Sequence, residues 1–224
     1  MKVLVIDIGG SHIKVLATGR KAPIKIPSGP KMTASTMVRD VRKATAGWVY
    51  DAVSIGYPGV VLHGKPVSEP RNLGGGWVGF RFKKAFGCPV AIINDAAMQA
   101  IGSYKGRGRM LFLGLGTGLG SALIIDGVLE PTELAHLPYK KGRTYEEYVG
   151  KAGLKRLGKK KWRRHVRDVV ARLKAALEVD DVVIGGGNAK LLTRLPRGVR
   201  LGANANAFLG GYRLWRKDAF RSSP

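Results

Sequence analysis

The sequence predicts an α/β protein of two lobes on three observations: a repeated strand–glycine turn–strand unit, strands that alternate with helices, and an apolar content sufficient for a sizeable core. The repeat is the most specific of them. The opening residues KVLVIDIGGSHIKVLATG are replayed by MLFLGLGTGLGSALIIDG at residues 110–127, so that residues 3–19 fall on residues 111–127 without a gap. A glycine turn between two apolar strands exposes backbone N–H groups that wrap phosphate oxygens, because glycine adopts positive φ and has no Cβ to block the approach. One such loop is a weak signal; two suggest a duplicated fold that clamps a phosphate chain from both sides. Length alone allows one large domain or two small lobes, and the repeat favours two: residues 1–93 with 210–224, and residues 94–209.

Residues 2–8 and 12–18 read as a hairpin, with a third short strand over 21–26 before the loop 27–30. A helix is expected over 33–46 and a buried strand over 52–56. Residues 57–77 then form a long Gly/Pro-rich segment holding YPGVV and PRNLGGGW, whose aromatic and apolar content argues for order. A short helix near 80–86 and a strand over 90–93 lead to Asn94 and Asp95, where a strand ends and a helix begins. After the second hairpin, residues 130–139 read as a loop carrying Glu133 and His136. Helices follow over 145–157 and 159–177. In the second, Trp162, Val166, Val169, Val170, Leu173 and Leu177 recur as one apolar stripe. A strand over 181–184 runs into Gly185, Gly186, Gly187 and Asn188, and residues 206–217 form a closing amphipathic helix.

The chain carries 39 Lys and Arg against 15 Asp and Glu, a formal charge of +24, yet is 45% hydrophobic and therefore folded. Such a field draws in polyanions without choosing among nucleic acid, nucleotide, inorganic polyphosphate and anionic membrane. The charge is concentrated: residues 140–174 hold fourteen Lys and Arg against Glu146, Glu147 and Asp168. Cys88 is the single cysteine, which excludes an intrachain disulfide and any multi-cysteine zinc site. Asp7 interrupts the first apolar run, so no signal peptide is expected. The longest uncharged run, residues 110–125, contains four glycines and is shorter than the ~20 apolar residues that span a bilayer. A soluble, cytoplasmic protein is expected.

Several residue types carry candidate chemistry. Asp7 ends an apolar strand beside Gly9 and Gly10, where it either caps the turn or holds a hydrated Mg²⁺ next to phosphates. Lys14 either touches phosphate or is an exposed strand lysine. Asn94 and Asp95 are what a helix N-cap uses, but phosphoryl transfer to an alcohol also needs a carboxylate to accept the hydroxyl proton. With two phosphate loops in the chain, Asp95 is the first choice for general base. Glu133 and His136 offer the groups that bind several sugar hydroxyls, against a structural reading of a lone histidine. Glu147 is a weaker candidate, since adjacent glutamates on a helix are commonly solvated.

The motifs IDIGGSHIK, GYPGVV, EPRNLGGGW, IINDAAMQA, LGLGTGLGSALIIDG, TELAHL and VIGGGNAK stand in the order found in the ROK family of sugar kinases, within the actin and hexokinase superfamily. The chain resembles that family over nearly its whole length, most of all its polyphosphate-glucokinase-like branch. The resemblance implies a two-lobed actin-like (ribonuclease H-like) fold with sugar and phosphoryl donor meeting in an interlobe cleft. It implies a first phosphate segment of Asp7, Gly9, Gly10, Ser11 and Lys14, and a second of Gly116, Thr117 and Gly118. Asp95 would deprotonate the sugar 6-hydroxyl, and Asn72, Asn94, Asp95, Glu133, His136 and Glu147 would bind the sugar. Gly185, Gly186, Gly187 and Asn188 would bind the adenosine of ATP, with Mg²⁺ held through water at Asp7.

The chain departs from the family pattern in three ways. It lacks the cysteine-rich zinc motif, so no zinc is expected. Its first strand begins at Lys2, which argues against a repressor with a preceding helix-turn-helix. It also has Ala135 where the family usually has glycine before the histidine. The resemblance leaves the donor open. Polyphosphate is a linear polyanion that outruns one cleft, and Lys159, Lys160, Lys161, Arg163 and Arg164 form a basic track that would hold the overhang. A merely solvated basic face, or a basic proteome, would give the same sequence. The expected activity is transfer from polyphosphate, ATP or both to glucose or a related hexose. Such a kinase is expected to have no membrane or specific nucleic-acid partner, and ROK relatives are often homodimers. The rivals are a strictly ATP-dependent sugar kinase and a non-catalytic sugar-binding regulator whose basic surface binds nucleic acid.

Overall fold

Two sheets with the same strand order organise the chain. The computed structural model describes residues 1–203, 205–216 and 221–222. One compact unit comprises Met1–Met98 and resumes at Ala207; the other comprises Gln99–Asn206 and takes in Arg221–Ser222.

In the first unit β1 (Val3–Ile8), β2 (His12–Ala17), β3 (Ile24–Pro27), β4 (Ala52–Tyr57) and β7 (Val90–Asn94) form a sheet ordered β3-β2-β1-β4-β7. β1, β2 and β3 are antiparallel neighbours, and β1, β4 and β7 are parallel. A two-residue pair, β5 (Val61–Leu62) and β6 (Lys65–Pro66), lies within the long Gly/Pro-rich segment. β1 and β4 are buried at every position, the pattern of strands covered on both faces. Leu4, Ile6 and Ile8 share a core with Met37, Val38 and Val41 of α1 (Ala34–Ala44). Val3 and Val5 face the other way, onto Met98, Ala207 and Phe208. α1 starts where Thr33 accepts the N–H of Thr36. A five-residue helix, α2 (Phe82–Phe86), precedes β7.

The second sheet runs β14-β13-β8-β9-β10-β15, from β8 (Arg109–Leu115), β9 (Leu119–Ile125), β10 (Val128–Thr132), β13 (Asp181–Gly185), β14 (Val199–Leu201) and β15 (Arg221–Ser222). β8, β9 and β10 repeat the antiparallel meander of the first unit, and β8, β13 and β14 repeat its parallel half. β15 adds a parallel edge to β10. The core joins Leu111, Leu113 and Leu115 of β8 to the stripe Trp162, Val166, Val169, Val170 and Leu173 of α5 (Lys151–Ala176), with Leu177 packed at its edge. Each of those buried side chains contributes roughly 1.5–3 kcal/mol.

Several boundaries differ from the sequence reading. The expected helix over 145–157 is broken at Gly150, which has extended backbone, into α4 (Tyr145–Val149) and the start of α5. A Cβ at Gly150 would lie 2.9 Å from the carbonyl oxygens of both Glu146 and Thr117. α5 is interrupted at Gly158 (φ 71°, ψ 161°), where the sequence places a division. Within 130–139, β10 runs on to Thr132, and β11 (Pro138–Lys140) pairs with β12 (Arg143–Thr144). The boundary between units falls after Met98, inside α3 (Asp95–Ser103), because Met98 is buried in the first unit's core; Asp95 therefore goes with β7. The closing helix α6 spans Asn206–Arg213, and Lys217, its expected end, lies outside the described residues. So do 217–220 and 223–224 of the expected first-lobe segment, while Arg221–Ser222 belongs to the second sheet. Among the described residues no helix is long and apolar enough to cross a membrane.

Candidate active site

The first glycine hairpin carries its own charges. Asp7 and Lys14 are opposite each other across β1 and β2, and Lys14 Nζ donates to Asp7 Oδ2 at 3.2 Å. Asp7 is only 8% exposed, so the ammonium compensates a carboxylate that is largely withdrawn from water. The turn itself is closed by backbone: Gly9 N–H donates to His12 O at 3.1 Å, and Ser28 ties it down through Gly9 O and Ser11 O. A carboxylate free of turn-closing duty suits a hydrated Mg²⁺ shared with phosphate oxygens. No group of three or more His, Cys, Asp or Glu able to hold a metal occurs among the described residues, so any ion here relies on its ligands' oxygens.

The long segment after β4 is ordered around Glu69, whose carboxylate accepts the N–H groups of Trp77 and Val78, with the Trp77 indole fully buried. This order brings Asn72 to the first hairpin, where its Cβ sits 3.2 Å from the place a Cβ on Gly10 would occupy. At the end of β7, Asn94 caps α3: its Oδ1 accepts from Ala96 and Ala97, and its Nδ2 donates to Gly59 O at 3.1 Å. Asp95 follows as the first helical residue, half-buried, with Oδ1 on its neighbour's N–H at 2.8 Å. The capping duty that competes with a catalytic reading thus falls on Asn94. One N–H of its amide is left to meet a ligand.

The second hairpin has no charged side chain near its turn, residues 110–125 carrying none. Gly116 N–H donates to Gly118 O at 3.1 Å, and Thr117 at the tip is exposed. Its polar groups come from elsewhere in the same unit. Glu146 Oε2 accepts the N–H of Leu119 at 3.2 Å and lies where a Cβ on Gly118 would be. Asn188 Nδ2 donates to Gly116 O at 3.0 Å and its own N–H to Leu115 O. Gly185 and Gly186 permit this approach: a Cβ on Gly185 would strike the Phe112 ring, and one on Gly186, at φ +84°, would strike Leu115 backbone.

Glu146, which the sequence leaves open as the alternative to Glu147, is therefore the α4 glutamate turned towards the hairpin. Glu147 closes a capping box, accepting Thr144 N–H at 2.8 Å, a bond that holds its carboxyl below the usual range. Glu133 and His136 flank a single 3-10 turn, both largely exposed, with Oε1 and Nε2 3.8 Å apart and so without a direct hydrogen bond. Ser121 pins that turn, donating to Thr132 O and accepting from Leu134 N–H.

The basic residues of α5 are divided in position. Lys160 and Arg163 line a cavity together with Arg167, Leu192, Thr193 and Arg194, whereas Lys159, Lys161 and Arg164 lie outside it. Asp168, the helix's one acid, is engaged by Tyr139, Lys140 and Arg172, and the Tyr139 hydroxyl bond is the main reason its carboxyl is held below the usual range.

Each unit repeats one sheet topology with a glycine hairpin at the head of its meander, which defines a duplicated α/β fold. Residues 3–131 match the ROK family, and the chain belongs to it. A polyphosphate glucokinase of Mycobacterium tuberculosis is 32% identical over 206 residues, 81% of this chain and 76% of that protein. The structure of an inorganic polyphosphate/ATP-glucomannokinase from Arthrobacter sp. strain KM superposes with a TM-score of 0.79 at 24% identity, covering 94% of this chain and 96% of that one. A ROK family glucokinase from Streptomyces griseus, in complex with glucose and AMPPNP, gives 0.78 at 19% identity over 96% and 99%. The fold is thus that of the ROK sugar kinases.

Proposed function

We propose that the protein is a hexokinase-type phosphotransferase that moves a phosphoryl group from inorganic polyphosphate, ATP or both to the 6-hydroxyl of glucose or a closely related hexose. The observation that carries this reading is the division of labour at the start of α3: Asn94 caps the helix, so Asp95 is not needed for the cap and serves as the base. Asp95 takes the hydroxyl proton as the sugar oxygen attacks the terminal phosphorus in line. The phosphorus–oxygen bond to the donor breaks, leaving ADP or a polyphosphate shorter by one unit.

Asn72, Asn94, Glu133 and His136 bind the sugar hydroxyls, joined by Glu146 in place of the cap-bound Glu147. Gly9, Gly10, Ser11 and Lys14 hold donor phosphates from one hairpin and Gly116, Thr117 and Gly118 from the other. Gly185, Gly186, Gly187 and Asn188 support ATP as a donor. Mg²⁺, when bound at Asp7 through water, would neutralise charge on the transferring phosphate. The basic flank of α5 holds polyphosphate beyond the reacting unit. The reading includes a cytoplasmic homodimer without specific nucleic-acid partners.

A coupled assay for glucose 6-phosphate, with Mg²⁺ and either polyphosphate or ATP as sole donor, tests it. Asp95→Asn should lower turnover by about 10²–10⁴-fold while glucose still binds. Glucose binding by wild type without turnover from either donor would replace the kinase with a sugar-binding regulator.

A further inference from the structure

The cavity on the flank of α5 has a volume of about 240 Å³, and four of its six lining residues, Lys160, Arg163, Arg167 and Arg194, are cationic; none is acidic. Lys160, Arg163 and Arg167 stand at i, i+3 and i+7 and so share one face of the helix. Arg163 Nε donates to Leu191 O at 2.5 Å, which fixes the helix to the opposite wall. That wall is the segment leaving the second hairpin's partner loop. Arg194 follows Asn188 by six residues, which bounds the two within roughly 20 Å, and Asn188 is bonded to Gly116 O. Like charges gathered in one concavity repel one another unless an anion neutralises them. The one acid of α5, Asp168, is held by Tyr139, Lys140 and Arg172 and lines no part of the cavity.

We propose that this cavity is an anchor subsite for condensed phosphate, gripping units of a polyphosphate chain beyond those at the second hairpin. The inference rests on the polyphosphate reading above and narrows it from a track to a site. Guanidinium forks match phosphate oxygens in pairs, and three of the four cations are arginines. Single-stranded nucleic acid is the poorer fit, because its binding needs aromatic platforms for the bases and Leu192 is the only apolar side chain lining the cavity. Two of the residues, Arg167 and Arg194, lie outside the run of basic residues that the sequence singles out.

The test compares two triple variants that remove equal charge. Lys160→Gln/Arg167→Gln/Arg194→Gln removes three of the cavity's four cations and keeps Arg163 with its bond to Leu191. Lys159→Gln/Lys161→Gln/Arg164→Gln removes the three cations of residues 159–164 that lie outside the cavity. KM is measured for long-chain polyphosphate, tripolyphosphate and ATP, and binding of long-chain polyphosphate without glucose is measured by calorimetry. The cavity variant should raise KM and Kd for the long chain on the order of tenfold, with ATP and tripolyphosphate affected far less and the comparator variant well below it. Equal losses in the two variants would reduce the site to a diffuse field. Equal losses across the three donors would overturn it, as would displacement of the long chain by a DNA oligonucleotide of equal charge as effectively as by polyphosphate itself. If wild type fails to use polyphosphate while calorimetry still shows cavity-dependent binding, the donor reading falls and the anchor stands. If wild type uses polyphosphate and the cavity variant is unchanged, the anchor falls and the donor reading stands.

Discussion

The two glycine hairpins share a topology and differ in almost everything else. In the first, Ile8 pairs with Ile13 and the turn holds Gly9 to His12; in the second, Leu115 pairs with Leu119 and the turn is only Gly116 to Gly118. The ungapped sequence repeat therefore aligns residues whose pairing partners are out of step. It also sets Asp7 against Leu115 and Lys14 against Ala122, so the ion pair of the first hairpin has no counterpart in the second. The second takes its polar equipment from Glu146 on α4 and Asn188 after β13. What was duplicated is the backbone; the chemistry was supplied separately, once from the strands and once from what packs on them.

The sharpest way to break this contrast is to crowd each hairpin with one methyl group. Gly186→Ala should cost about 3 kcal/mol or more and abolish turnover with either donor, since its Cβ would sit 2.5 Å from Leu115 O at a positive φ. Gly10→Ala meets the Asn72 Cβ at 3.2 Å, a contact that a shift of a few tenths of an ångström in the Asn72 loop relieves, and should stay within about 1 kcal/mol of wild type. Urea unfolding of both would show it, and equal losses would end the distinction. Next in size is the ion pair. Lys14→Ala leaves the Asp7 carboxylate without its partner and should destabilise by about 1–3 kcal/mol. The double variant Asp7→Asn/Lys14→Met should recover most of that stability without recovering turnover. The smallest effect separates the neighbouring glutamates. Glu147→Ala should lower Tm slightly and leave kcat/KM alone, whereas Glu146→Ala should cut kcat/KM about tenfold or more. Because the folded Glu147 carboxyl is depressed, its stabilisation is present above the unfolded value near ~4.3 and is lost as pH falls through the folded value. The Tm difference between wild type and Glu147→Ala should therefore vanish in acid.

Much of this was readable from the chain. Apolar runs located β1, β4 and β8, the Trp162 stripe located the buried face of α5, and Gly158 marked its interruption. These signals are local, and local patterning is what a sequence displays. The choice between Glu146 and Glu147 was not local: it depends on Glu146 meeting the Leu119 N–H, and on a glycine at 150, where Thr117, more than thirty residues away, leaves no room for a Cβ. Arg194 escaped notice as a partner of Lys160 for the same reason, since only the packing of the loop after Asn188 onto α5 joins them. β14, three residues long, offered too little pattern to register as a strand.

The break at Gly158 makes the 26-residue helix two rods instead of one. The first rod is tied to the tip of the second hairpin, where Lys151 N–H donates to Thr117 O at 3.1 Å; the second is seated in the core by Trp162 and the valines behind it. A glycine at positive φ joins the two, so the axis of the first does not continue into the second. Lys160, Arg163 and Arg167 thus stand on the rod that the Trp162 stripe seats, and the hairpin tip is bonded to the other.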